Sequence, residues 1–205
     1  MPQKIIIVRH GETQYNVERR LQGWTDIPLN NNGHAQAKRV ATRLANELIN
    51  TIYSSDHQRA HQTATHIASL HGLKPHKRLA LREDRMGIFE GWQWENEPNA
   101  HLQKLWGDRD YYHKLGDMQW KVEGGESLME HTRRVRRFLR QIETRHPNDT
   151  VAVVSHGGTI NRIMEIYGFK RVTDDYISFK NTSVTIITNR DGKYELDLLN
   201  DISHL

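Results

Sequence analysis

Two stretches of continuous branched apolar residues, Ile5 to Val8 in "IIIVRHG" and Val151 to Val154 in "VAVVSHGG", each run straight into a histidine and a glycine. Unbroken Ile and Val bounded by a glycine turn suit strands covered on both faces, the condition of a mainly parallel sheet with helices above and below. In such sheets ligands bind outside the carboxyl ends of the strands. His10 and His156 therefore leave two separate strands at the end where a pocket forms.

The segments between them alternate as an α/β chain should. Ala37, Val40, Ala41, Leu44 and Leu48 recur at helical spacing after Asn30 or Asn31, either of which can cap. "TIYSS", residues 51 to 55, reads as a second strand. Ser55 with Gln58 then has the capping-box spacing that opens a helix carrying Ala60, Ala64, Ile67 and Ala68 inward and Arg59 in its first turn. A third extended piece, about His76 to Leu81, leads into "LREDRMGIFEGW". Residues 92 to 124 break the rhythm and read as a helical or irregular insertion. Their aromatic residues, Trp92, Trp94, Trp106, Tyr111, Tyr112 and Trp120, suit either core packing or a lid that selects a hydrophobic or ring-bearing ester. Ser127 and Glu130 form a second capping box ahead of a long helix with the stripe Leu128, Val135, Phe138, Leu139 and Ile142, which stops before Pro147. A short helix follows Gly157 to about Tyr167. "SVTIIT" and "YELDLL", joined by "NRDGK", close the chain as two β runs.

A length of 205 residues fits a single domain with that insertion. No cysteine is present, which excludes disulfides, thiolate zinc sites and a cysteine nucleophile. The formal charge of +4 leans toward anionic partners. No apolar run approaches the roughly 20 residues of a membrane span, so a cytoplasmic, soluble protein is expected.

The residues at the strand ends narrow the anion to a phosphoryl group. The planar forks of Arg9 and Arg59 match phosphate oxygens two at a time. Asn16 and Gln22 add neutral donors, Gly11, Gly23, Gly157 and Gly158 let backbone amides approach an anion, and the helix after Gly157 would aim its amides at the site. An imidazole facing such cations stays neutral, and neutral imidazole is a nucleophile able to attack phosphorus while arginines and His156 stabilise the equatorial oxygens. No metal is then needed. Glu83 is the candidate acid for the leaving oxygen; its alternative is a surface carboxylate paired with Arg82 or Arg85. "RRVRRFLR", residues 133 to 140, reads as an exposed amphipathic face rather than a nucleic-acid stripe. His57 and His61, four apart, read as surface histidines rather than zinc ligands.

"RHGET" with Asn16, "LQGWTDIPLNNNGHAQA", "IYSSDHQRAHQTA", "LREDRMGIFEGW", "EGGES" and "VSHGG" together resemble the histidine phosphatase superfamily, in its phosphoglycerate mutase-like branch. The resemblance implies a three-layer α/β/α sandwich with a mixed, mainly parallel central sheet and a cofactor-free phosphohistidine mechanism. It implies His10 as nucleophile, Arg9, Arg59 and His156 as phosphate ligands, Asn16 and the backbone near Gly23 as further contacts, and Glu83 as proton donor, with Ser55 and Asp56 in support. Phosphoglycerate mutases resemble one another in a segment Glu-Arg-His/Asn-Tyr-Gly, whereas this chain has Glu83, Asp84, Arg85, Met86 and Gly87, a departure toward the broad phosphatases. The expected partner is a small phosphorylated metabolite, with neither nucleic acid nor membrane, and a homodimer is left open.

Overall fold

The computed structural model describes residues 1–93, 99–170 and 175–205, with backbone alone for 110–114. Trp94 lies outside the described residues, as do the side chains of Tyr111 and Tyr112. Six strands form one mixed sheet: β1 Lys4–Arg9, β2 Thr51–Ser54, β3 His76–Lys77, β4 Thr150–Ser155, β5 Val184–Arg190 and β6 Lys193–Asp201. Their order is β3-β2-β4-β1-β5-β6. The first four strands in that order run parallel, and the β5–β6 hairpin closes one edge antiparallel.

The two opening motifs are the centre of this sheet. β1 pairs with β4 in a register that sets Arg9 opposite Ser155, so His10 and His156 emerge side by side. The two-residue period of a strand sends alternate side chains to opposite faces. Ile5 and Ile7 pack with Val135, Phe138, Leu139 and Ile160, while Ile6 and Val8 pack with Val40, Leu44, Ala60 and Ile67. The first set belongs to helices α5 (Leu128–Arg145) and α6 (Gly157–Ile166), the second to α2 (Asn31–Leu44) and α3 (Gln58–Ser69). Burial on both faces explains the unbroken apolar runs, each such side chain contributing about 1.5–3 kcal/mol. The expected three-layer α/β/α architecture is the one observed.

Several local expectations are corrected. Leu48 is 86% exposed, because α2 ends at Leu44 and no longer carries it inward. Asn30 is the cap of α2, its side chain accepting from the Gly33 amide. The helix after β2 is capped at His57 and not at Ser55, and its cap makes no side-chain hydrogen bond. The third extended piece is a two-residue strand followed by a single turn, Leu79–Leu81, that sinks Leu81 into the core. A short helix α1, Gln14–Val17, follows the first motif under a Thr13–Asn16 capping box.

Within the insertion, α4 spans Ala100–Lys114. Trp92 and Trp106 pack on each other and on Phe89 with ring centroids 5.2–5.5 Å apart, the core role for those two residues. Ser127 and Glu130 form the capping box that opens α5. On its outer face Arg133, Arg136, Arg137 and Arg140 are exposed along a groove of about 870 Å³, as an amphipathic helix requires. No helix of the described residues is long and apolar enough to cross a membrane.

Candidate active site

His10 and His156 are 3% and 0% exposed, with ring centroids 5.1 Å apart. Their hydrogen bonds differ at the same atom. His10 Nδ1 lies 2.7 Å from the Gly11 carbonyl, which only accepts, so Nδ1 carries the proton and Nε2 keeps a lone pair. His156 Nδ1 accepts from Arg59 Nε at 3.2 Å, so Nε2 carries the proton and has no partner among the described residues. One ring thus presents a base, the other a donor. Burial first, then the charge of Arg59, holds both histidines well below the usual imidazole value, so both are neutral at neutral pH.

Arg59 is fully buried in the first turn of α3. Besides His156 it donates to the carbonyls of Thr25 at 2.8 Å and Gly23 at 2.9 Å. Burial lowers its pKa to about 10, which still leaves a cation at neutral pH. The Gly23 carbonyl reaches Arg59 because the backbone there has φ +49°, and a Cβ would meet Glu90 Oε1 at 2.6 Å. Glu90 in turn accepts from the Trp24 amide and the Thr25 hydroxyl, fixing the turn that carries Gln22 and Gly23. Gln22 Oε1 is buried without a partner among the described residues.

Arg9 is anchored by a hydrogen bond from Nη1 to the Phe179 carbonyl, and its buried Nε is left bare. Asn16 is oriented from three sides: its Oδ1 accepts from the Thr13 amide, the Thr13 hydroxyl and Asn181 Nδ2. That leaves its NH₂ group as the donor for a ligand. Gly157 lies under the Tyr176 hydroxyl, which would stand 2.9 Å from a Cβ placed there.

Glu83 corrects one expectation about the α6 amides. Those of Gly158 and Thr159 do not face the pocket bare; both donate to the Glu83 carboxylate at 3.0 Å, as does the Asp84 amide. Gly158 must be glycine for this, since a Cβ would stand 2.5 Å from Glu83 Oε1. Glu83 is therefore not paired with Arg82 or Arg85. Arg82 instead clamps Asp56 through two bonds of 2.8 and 2.7 Å, bracing the start of α3. Ser55 accepts from the His57 amide. Both support the site without entering it.

Asp84, Glu126 and His131 bring potential metal-ligating atoms within 4.8 Å of one another. Arg109 on Asp84 and Arg134 on Glu126 already supply the cations, so the group is an ion-pair network. Burial raises the Asp84 carboxyl to about 6.

Some participants were not legible in the sequence. His57 is buried, not a surface residue, and stands edge-on to His156. Asn181 donates to the His10 carbonyl at 3.0 Å, Thr63 accepts the Gly11 amide at 3.0 Å, and Arg134 donates to the Glu83 carbonyl at 2.8 Å. Arg134 left a trace as one of the arginines flanking an apolar stripe, and His57 was singled out with His61 but read as a surface histidine. Asn181 and Thr63 left none.

A base, a bare donor, the buried Arg59 and the half-buried Arg9 at strand carboxyl ends define an α/β enzyme that handles phosphoryl groups. Residues 5–202 match the histidine phosphatase superfamily (branch 1), and the chain belongs to that superfamily. It is 34% identical over 208 residues to phosphoglycerate mutase-like protein 4 of Arabidopsis thaliana, covering 98% of this chain and 86% of that one. Among solved structures it is similar to an Entamoeba histolytica phosphoserine phosphatase (TM-score 0.84, 29% identity, all of both chains). It is also similar to a mycobacterial glucosyl-3-phosphoglycerate phosphatase (TM-score 0.80, 27% identity, 97% of this chain and 98% of that one). Family membership and the intact constellation make the chain a phosphomonoesterase.

Proposed function

We propose that the chain hydrolyses small phosphorylated metabolites in two steps through a phosphohistidine on His10. The observation that carries this reading is the different partner at each Nδ1, the Gly11 carbonyl behind His10 and Arg59 Nε behind His156. The bare Nε2 lone pair of His10 attacks phosphorus in line, while His156 Nε2–H, Arg9 Nε and the remaining Arg59 N–H groups hold the non-bridging oxygens. Asn16, whose NH₂ group is left to donate, and Gln22 are further ligands in this scheme. These fixed donors and cations neutralise developing charge, the role a metal ion would otherwise fill.

Glu83 is the proton donor in this scheme. It acts from a carboxyl held by the first amides of α6, and its proton is the one the leaving group needs. The leaving alkoxide takes that proton, and Glu83, now ionised, draws a proton from the water that attacks the phosphohistidine.

The substrate class is a small phosphate monoester. The Entamoeba histolytica enzyme has been solved with phosphoserine and with 3-phosphoglyceric acid, and both belong in a first panel with p-nitrophenyl phosphate. Turnover is measured with chelator present, scoring phosphate release against phosphate relocation. Release from several esters is the expected result. Relocation without release would replace this reading with a mutase, despite the altered segment after Glu83. Silence on both would leave a protein that binds phosphate esters without turning them over.

A further inference from the structure

One buried histidine beside the site has no part in the scheme above. His57 is 2% exposed, between His156 at 0% and His10 at 3%, and it caps α3 two residues before Arg59. Neither ring nitrogen has a hydrogen-bond partner among the described residues, and the ring does not cap the helix. Its plane stands nearly perpendicular to two neighbours, Trp24 at 6.5 Å and His156 at 5.5 Å between centroids. The backbone holding it is fixed, with the His57 amide on Ser55 Oγ and Asp56 clamped by Arg82.

Packing alone gives no reason for an imidazole here. An apolar side chain would fill the same space, whereas a buried polar group left unsatisfied costs about 1–3 kcal/mol. Such a deficit in a native structure points to a partner that arrives with the ligand. The same deficit marks His156 Nε2 and Arg9 Nε, two donors that the scheme above assigns to the phosphoryl oxygens. Burial, then Arg59 and Arg82, lowers the His57 pKa to about 4, so at neutral pH the ring is uncharged, with one N–H to give and one lone pair.

We propose that His57 is a further phosphoryl ligand, donating a ring N–H hydrogen bond to a non-bridging oxygen on the side of the pocket walled by His156 and Trp24. The contact involves no covalent step and no net proton transfer. It rests on the reading of the His10–His156 space as a phosphate site.

The test uses orthovanadate and inorganic phosphate as inhibitors of the intact protein, together with kcat/KM for p-nitrophenyl phosphate. Losing one preorganised donor in such a site costs about 10²- to 10³-fold, so His57→Leu should weaken both inhibitors and lower kcat/KM by a factor approaching that range. His57→Gln, which keeps an N–H donor, should recover most of the loss. A His57→Leu protein within twofold of wild type on all three readouts would make His57 a packing residue and overturn the proposal. Should the leucine variant fail to fold, ring-nitrogen NMR of the wild type decides: phosphate must shift the His57 signals, and unmoved signals overturn it equally. If the wild type is inhibited by neither anion, the phosphate-site reading itself has failed and the proposal falls with it.

Discussion

The ends of β1 and β4 are written almost alike, four apolar residues, one polar residue, then His-Gly, yet they deliver opposite chemistry. At β1 the chain turns into a loop, and the Gly11 carbonyl folds back onto His10 Nδ1. At β4 it turns directly into α6, and His156 meets a guanidinium from α3 instead. A carbonyl neighbour forces the proton onto Nδ1; an N–H neighbour forces it onto Nε2. In the proposed scheme the difference between nucleophile and oxyanion donor is therefore made by the groups behind each ring and not by the ring itself.

That asymmetry is broken most directly at His10. His10→Ala removes the only lone pair aimed at phosphorus in the scheme, and turnover should fall by roughly 10⁴-fold or more, with no phosphoenzyme trapped by acid quench. His156→Gln keeps a donor and should cost less, about 10²- to 10³-fold, with phosphoenzyme still detectable. Equal losses in the two variants would mean that the tautomer assignment does not govern the division of labour.

Glu83 sharpens the comparison at the β4 end, because its carboxylate is held by the first amides of α6. Glu83→Gln should lower turnover of alkyl phosphates by about 10²-fold or more while sparing p-nitrophenyl phosphate, whose leaving group needs no proton. A uniform loss across leaving groups would assign Glu83 to holding α6 in place.

The smallest effect is on stability. His10, His131 and His156 have folded-state pKa values well below 6.5, and His57 sits at about 4. Below about pH 6.5 the unfolded chain binds protons that the folded one refuses, so these groups stabilise above that pH and lose their contribution as pH falls. Asp84, raised to about 6, runs the other way: its contribution is present below the unfolded value and lost as pH rises through 6. These four histidines outnumber the two raised carboxyls, Asp84 and Glu165, so Tm should decline from pH 7 to pH 5. In His156→Gln that decline should be shallower, read by thermal melts across the same range.

How much of this could be read from residues alone depended on the kind of signal. The sheet centre was legible because burial on both faces leaves unbroken Ile and Val runs, and because His-Gly after each run marks a strand's carboxyl end. Arg9, Arg59 and Asn16 were legible as residue types that fit phosphate, and Glu83 as a carboxyl able to supply a proton. The cap of α3 was not, since Ser55 and Gln58 have the right spacing but the chain stays extended through His57. Nor was the fate of the α6 amides, which depends on a carboxylate brought from 75 residues away in sequence.

The sequence by itself determined the α/β alternation, the two histidines at strand carboxyl ends and the absence of any thiol chemistry, since periodicity and composition act locally. Tertiary structure alone decided which histidine holds a lone pair, that Glu83 sits on α6 and that His57 is buried. Each of those depends on a partner brought close only by the folded chain, such as Arg59 behind His156, the Gly158 amide against Glu83 and Trp24 beside His57. A tautomer, a held carboxylate and a bare buried nitrogen are properties of what lies within a few ångströms in space, which linear order does not encode.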